Sequence, residues 1–363
     1  MPPVAPPLTP VLERLLADFD ARKPAALARV VSMVENQRDG FDALLAALHP
    51  RIGRARRIGI TGPPGAGKST LTTRLTRAYR EAGLTVGIVA VDPTSPFTGG
   101  ALLGDRIRME EVALDPGVFI RSLATRGSLG GLSSSTRVVA DVLDAFGFDR
   151  VLLETVGVGQ SELDIARAAE STLVVLVPES GDSIQTLKAG LMEIADLFAV
   201  NKADRPGADR VRNDIELMLG MRSGLALTHA PAHHGVDLGT INNPGRAARA
   251  AATGEQEEHW VPPVLRTVAS KGEGIAELID ALDRHFRYLG ASGELTRRRR
   301  ARWREQILEV AEQRLRRRVW GDAGIQAFIE AALPDVEAGT STPFGIADEL
   351  LRRGAGILTR TVT

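Results

Sequence analysis

Gly62-Pro63-Pro64-Gly65-Ala66-Gly67-Lys68-Ser69-Thr70 fits G-x-x-x-x-G-K-[ST] at every required position. The run before it, Arg57-Ile58-Gly59-Ile60-Thr61, reads as a short buried strand, and Leu71 to Ala82 after it as a helix. Strand, loop and helix in that order separate a phosphate loop from a chance match. Glycines let the backbone approach phosphates and turn its N–H groups toward them. The helix N-terminus adds partial positive charge. Lys68 is placed to reach the β- and γ-phosphates, and the Ser69 hydroxyl to bind Mg²⁺. Gly62, Pro64, Gly65, Ala66, Gly67 and Thr70 complete the expected cradle.

Around this stretch, residues 55–290 alternate strand and helix. Strands are expected at Arg57–Thr61, Val86–Val91, Val118–Leu123, Val151–Glu154, Thr172–Val177, Leu197–Asn201 and Val264–Val268. That rhythm predicts an α/β protein, a mostly parallel sheet with helices on both faces. Three segments follow: an N-terminal helical extension over 1–50, the phosphate-loop domain over 51–290, and a C-terminal helical arm over 291–363. In the extension, Leu27, Val30, Val31 and Val34, then Phe41, Leu44, Leu45 and Leu48, repeat the spacing of one helix face and are expected to pack on the domain that follows. Residues 222–262 break the rhythm with glycines and prolines and read as an inserted loop. His233-His234 within it are adjacent, so they do not share a helix face as a metal pair would.

Composition narrows the function. The 363 residues hold 45 Lys+Arg and 45 Asp+Glu, so no global field favours nucleic acid or a membrane. There are no cysteines, which removes disulfides, thiol catalysis and Cys-zinc sites. The proline-rich start lacks the apolar core of a signal peptide, and no apolar run reaches membrane-spanning length, which points to a cytoplasmic protein. The basic runs Arg297–Arg300 and Arg316–Arg318 are interspersed with Glu305, Glu309 and Glu312 and read as a solvated helix face. The apolar stripes on that arm suit a second subunit.

Three further signals fall at the carboxyl ends of expected strands, where sheets of this kind bind ligands. Asn201-Lys202-Ala203-Asp204 suits guanine, because the Asp204 carboxylate can accept from both the ring N–H and the exocyclic amine. Adenine presents an acceptor there and would leave the carboxylate unpaired. Ala269-Ser270-Lys271, after the last strand, is placed to touch the base through backbone N–H groups. Glu154-Thr155-Val156-Gly157 stands where many phosphate-loop GTPases carry D-x-x-G, with the acid near Mg²⁺ and the Gly157 N–H on the γ-phosphate. Asp92, leaving the sheet after Val86–Val91, can hold Mg²⁺ through water. Asp105 is a second candidate, with a helix N-cap as its plainer reading. No Gln is placed to orient the attacking water, and among Arg106, Arg108 and Arg126 no arginine finger is singled out. Hydrolysis is therefore expected to be slow alone and stimulated by a partner.

The ordered series Gly62–Thr70, Val91-Asp92-Pro93-Thr94-Ser95-Pro96, Glu154-Thr155-Val156-Gly157-Val158-Gly159-Gln160-Ser161-Glu162, Gln185-Thr186-Leu187-Lys188-Ala189-Gly190 and Asn201–Asp204 resembles the GTPase chaperones of adenosylcobalamin-dependent methylmalonyl-CoA mutase. Ser341-Thr342-Pro343-Phe344-Gly345-Ile346-Ala347 is similar to that family's C-terminal signature, so the resemblance spans nearly the whole chain. It implies a P-loop NTPase fold of the SIMIBI type and a homodimer. It also implies GTP/GDP and Mg²⁺ as ligands, and a B12-dependent acyl-CoA mutase as partner, with a cobalamin adenosyltransferase as a further one. GTP state would gate cofactor loading and the removal of damaged cofactor. Switch segments are implied at Asp92–Arg108, Glu154–Gln160 and Pro178–Lys188, with Gln160, Asp182, Gln185 and Lys188 signalling to the partner.

Two stretches depart from the family pattern. The loop at 222–262 is longer and more polar than expected, and Pro178-Glu179-Ser180-Gly181-Asp182 stands where P-G-x-G-D is expected. Both suit a partner mutase acting on a different acyl-CoA. A metal-insertion GTPase and a small-molecule kinase with the same loop are the alternatives.

Overall fold

The computed structural model describes residues 7–93, 109–125, 131–155, 161–178, 190–223 and 259–359. They form two compact units, Met1–Arg299 and Arg300–Thr363.

The first unit is built on seven strands: β1 (Arg56–Thr61), β2 (Val86–Pro93), β3 (Val118–Thr125), β4 (Arg150–Thr155), β5 (Ser171–Leu176), β6 (Leu197–Val200) and β7 (Val264–Arg266). Their order is β3-β2-β4-β1-β5-β6-β7, and every pairing is parallel. Chain progression reverses at β1: β2, β3 and β4 lie on one side of it and β5, β6 and β7 on the other. Loops leaving the central strands therefore diverge and open a crevice at their carboxyl ends.

Alternating side chains feed both faces of the sheet. Val151 and Leu153 of β4 join Val89 and Val91 under helix α5 (Gly131–Phe146), while Leu152 joins Ile58, Ile60 and Val175 under helix α4 (Lys68–Glu81). With both faces covered, the strands carry continuous apolar runs. The N-terminal helices α1 (Pro10–Asp20), α2 (Pro24–Glu35) and α3 (Phe41–Leu48) share the core of α5: Leu27, Val30, Val31 and Val34 are all buried. Thr9 opens α1 by accepting from Leu12 N–H, with Pro10 at the first helical position.

Buried charge fixes the amino-terminal end of the sheet. Arg57, at the start of β1, donates through Nη2 to Asp141 (2.7 Å) and Asp144 (3.0 Å). Asp144 also accepts the backbone N–H groups of Gly53, Arg54 and Ala55 at 2.8–3.0 Å, tying the incoming chain to α5. Burial alone would favour neutral Arg57, but Asp141, Asp144 and Glu170 outweigh it and hold its pKa above the ordinary arginine value. A second clamp closes on Asp196, just before β6. Arg298 grips it with two nitrogens at 2.8 and 2.9 Å, and His285 Nε2 lies 3.3 Å away. Arg299 Nε donates to Glu170 at 2.6 Å. The side chain of Ser171 meets His285 Nδ1 at 2.8 Å. Burial pushes the Asp196 carboxyl up, but hydrogen bonds from His285 and Arg298 prevail and hold it below the usual carboxylate range.

The long helix Glu294–Trp320 begins in the first unit and continues into the second. There it is followed by helices Ala323–Glu337 and Pro343–Thr359. Asp322 caps the former, accepting from Gly324 and Ile325 N–H. Ile325, Ala332 and Leu350 are buried, while Ile307, Leu308, Leu315, Phe344 and Leu351 are exposed. No described helix is long and apolar enough to cross a membrane.

Candidate nucleotide site

The phosphate loop leaves β1 at the reversal point. Gly62 has φ +138°, and a Cβ there would lie 2.0 Å from Val175 O, so only glycine lets the loop pass this close to β5. Gly67 has φ +87°, and a Cβ there would lie 2.4 Å from Asn201 Nδ2. Lys68 opens α4 and is buried; its Nζ folds back to donate to Gly62 O at 2.8 Å and Pro63 O at 2.9 Å. The Ser69 hydroxyl donates to Glu154 Oε1 at 2.6 Å. Parallel register sets this contact: Ile60 of β1 pairs with Glu154 of β4, which brings the buried carboxylate beside the loop. Val91 of β2 pairs with Thr155, so the Asp92 backbone follows at the same end of the sheet.

Asn201 joins this half of the crevice to the other. Its Nδ2 donates to Ala66 O at 2.8 Å, and its Oδ1 accepts from Thr267 Oγ1 at 3.2 Å and Ala269 N–H at 3.1 Å. Lys202 has φ +55°, a left-handed backbone that L-residues rarely adopt. It is held on both sides, by Asn201 N–H to Leu176 O at 2.8 Å and Ala203 N–H to Thr267 O at 3.0 Å. Across the opening, Lys271 Nζ stands 3.6 Å from Asp204 Oδ2.

Thus Ser69 meets Glu154 beside the loop that Lys68 braces, and Asn201, Asp204, Ser270 and Lys271 gather around the neighbouring loops. Gly157, Gln160, Asp105, Asp182, Gln185 and Lys188 lie outside the described residues, as do the Asp92 side chain, Arg106, Arg108, Arg126 and His233-His234. Sequence reading missed Thr267, which carries no motif, and Arg74, whose guanidinium reaches the loop at Ala269 and Ser270. Among the described residues no cluster of three or more His, Asp or Glu is arranged to hold a metal ion. The oxygen pair of Ser69 and Glu154 suits Mg²⁺, a hard cation that takes few protein ligands beside substrate phosphates.

A family model described as Methylmalonyl Co-A mutase-associated GTPase MeaB matches residues 27–324. The chain belongs to this family. A Pyrococcus abyssi protein named as a GTPase is 43% identical over 95% of this chain and 98% of its own length. GTPase ArgK of Escherichia coli is 32% identical over 88% of this chain and 89% of its own. A crystal structure of an LAO/AO transport system kinase superposes with a TM-score of 0.62 at 25% identity, covering 96% of this chain and 99% of that one. The MeaB-family chain is accordingly a GTPase on a P-loop fold, one that binds guanine nucleotide and hydrolyses GTP.

Proposed function

We propose that GTP with Mg²⁺ occupies the crevice between Lys68, Glu154 and Asp204, and that its hydrolysis times the loading and repair of adenosylcobalamin in an acyl-CoA mutase. The contact of Ser69 with Glu154 at 2.6 Å carries the mechanistic half. Lys68 exchanges its two loop carbonyls for the β- and γ-phosphates, and the α4 N-terminus and loop N–H groups of Gly65, Ala66, Gly67 and Thr70 complete the cradle. The Ser69 hydroxyl, which donates to Glu154, would be one of the groups that hold the Mg²⁺. Mg²⁺ there would neutralise charge building on the β/γ bridge. Glu154, longer than the aspartate common at this place, would help hold the Mg²⁺ or orient the attacking water, with Asp92 and Asp105 as further acids. Asp204 reads the ring N–H and amine of guanine, and Ser270 the ring carbonyl.

The partner half rests on the family description, which names mutase association. In this reading Gly157, Gln160, Asp182, Gln185 and Lys188 carry the nucleotide state to the mutase. The exposed Ile307, Leu308 and Leu315 of the arm face a second copy of the chain. Hydrolysis without the partner is slow. The test is GTP turnover with and without a B12-dependent acyl-CoA mutase, together with co-purification of the two. A rise in turnover of about tenfold or more is expected. Turnover indifferent to every acyl-CoA mutase overturns the partner assignment while leaving the GTPase intact.

A further inference from the structure

Arg74 lies on α4, beyond the phosphate loop, and its partly buried guanidinium crosses to the loop that follows β7. Nε donates to Ala269 O at 3.0 Å and Nη2 to Ser270 O at 2.9 Å. Nη1 stands 4.0 Å from the exposed Glu111, a weak surface pair. The planar fork thus takes two consecutive carbonyls at once, which a lysine cannot do. From the other side, Asn201 accepts Ala269 N–H at 3.1 Å, and Val268 O accepts Lys271 N–H at 2.9 Å. Two of the three N–H groups in Ala269-Ser270-Lys271 are therefore engaged within the protein. Among the described residues, Ser270 N–H donates to no protein acceptor.

In a planar trans peptide the N–H points opposite to the preceding carbonyl. Fixing Ala269 O on Arg74 consequently turns Ser270 N–H away from α4. We propose that Arg74 is a positioning residue for base recognition, holding Ser270 N–H toward the ring carbonyl of guanine. This rests on reading Asp204 and Ser270 as the base contacts. A donor fixed there favours an oxygen acceptor at C6 and opposes the amino group that adenine carries. The two hydrogen bonds of the Arg74 guanidinium fall on the loop after β7, so its effect falls on base selectivity.

The test compares GDP with 6-thio-GDP, which keeps the ring N–H and amine that Asp204 would take but replaces the C6 oxygen with a poorer acceptor. Affinities are measured by calorimetry on the full chain as wild type, Arg74→Ala and Arg74→Lys. Wild type is expected to prefer GDP by about tenfold, Arg74→Ala by about twofold, and Arg74→Lys to fall between. General loosening of the fold lowers both affinities together and leaves their ratio unchanged. A selective wild type with an equally selective Arg74→Ala overturns the role of Arg74 and leaves the base contacts standing. A wild type that does not distinguish the two nucleotides overturns both.

Discussion

At the amino-terminal end of the sheet, buried charges meet opposite charges: Arg57 holds Asp141 and Asp144, and Arg298 holds Asp196 with two hydrogen bonds. At the carboxyl-terminal end, neutral groups stand among the partners of the buried charges: Lys68 donates to two loop carbonyls and Glu154 accepts from the Ser69 hydroxyl. The energetics differ accordingly. Removing one partner of a buried ion pair strands a charge, so the lower end resists change. A hydroxyl or carbonyl yields readily to a phosphate or a divalent cation, so the upper end is ready to exchange partners. One sheet thus keeps its structural charges and its chemical charges at opposite ends of the same strands.

The largest expected effect separates the two ends by stability. Arg57→Met takes the shared Nη2 donor from Asp141 and Asp144 and should cost about 3–5 kcal/mol in urea denaturation, with GDP affinity of the folded protein retained. Lost nucleotide affinity in a fully stable variant would break the contrast. Next, Lys68→Ala should lower GTP turnover by about a hundredfold or more in a phosphate-release assay, with stability changed by less than about 1 kcal/mol. Normal turnover would remove the upper end from the chemistry. The smallest effect is a pH dependence of the lower end. Asp196 titrates below its unfolded value, so its contribution is present above the ordinary aspartate pKa of about 3.9 and is lost as pH falls through the lower folded value. Wild type should therefore show a steeper acid loss of stability than Asp196→Asn. Equal slopes would mean that His285 and Arg298 do not hold the carboxylate charged.

The upper end was far more legible in the sequence than the lower. All seven strands appear within two residues of their expected bounds, because strands covered on both faces are short apolar runs closed by loop residues. Lys68, Ser69, Asn201 and Asp204 could be placed because each sits in a motif only a few residues long at a strand end. Glu154 was legible for the same reason, although its contact with Ser69 joins residues 85 apart. The clamps left no such trace. Arg57 finds Asp144 across 87 residues, Arg298 finds Asp196 across 102, and Arg74 finds Ala269 across 195. Such partners are chosen by the order of strands in the sheet, which no local spacing encodes.

Asn201 has a consequence for how this site can be altered. One amide side chain braces Ala66 of the phosphate loop while accepting Ala269 N–H from the base loop, and Gly67 exists without a side chain where that amide passes. The halves that grip phosphate and base are therefore not interchangeable parts. A base-reading segment grafted over Asn201–Asp204 from an adenine-reading protein would arrive without this brace, and the phosphate loop would have to be rebuilt along with it. Engineering nucleotide preference in this scaffold thus means redesigning one interlocked piece.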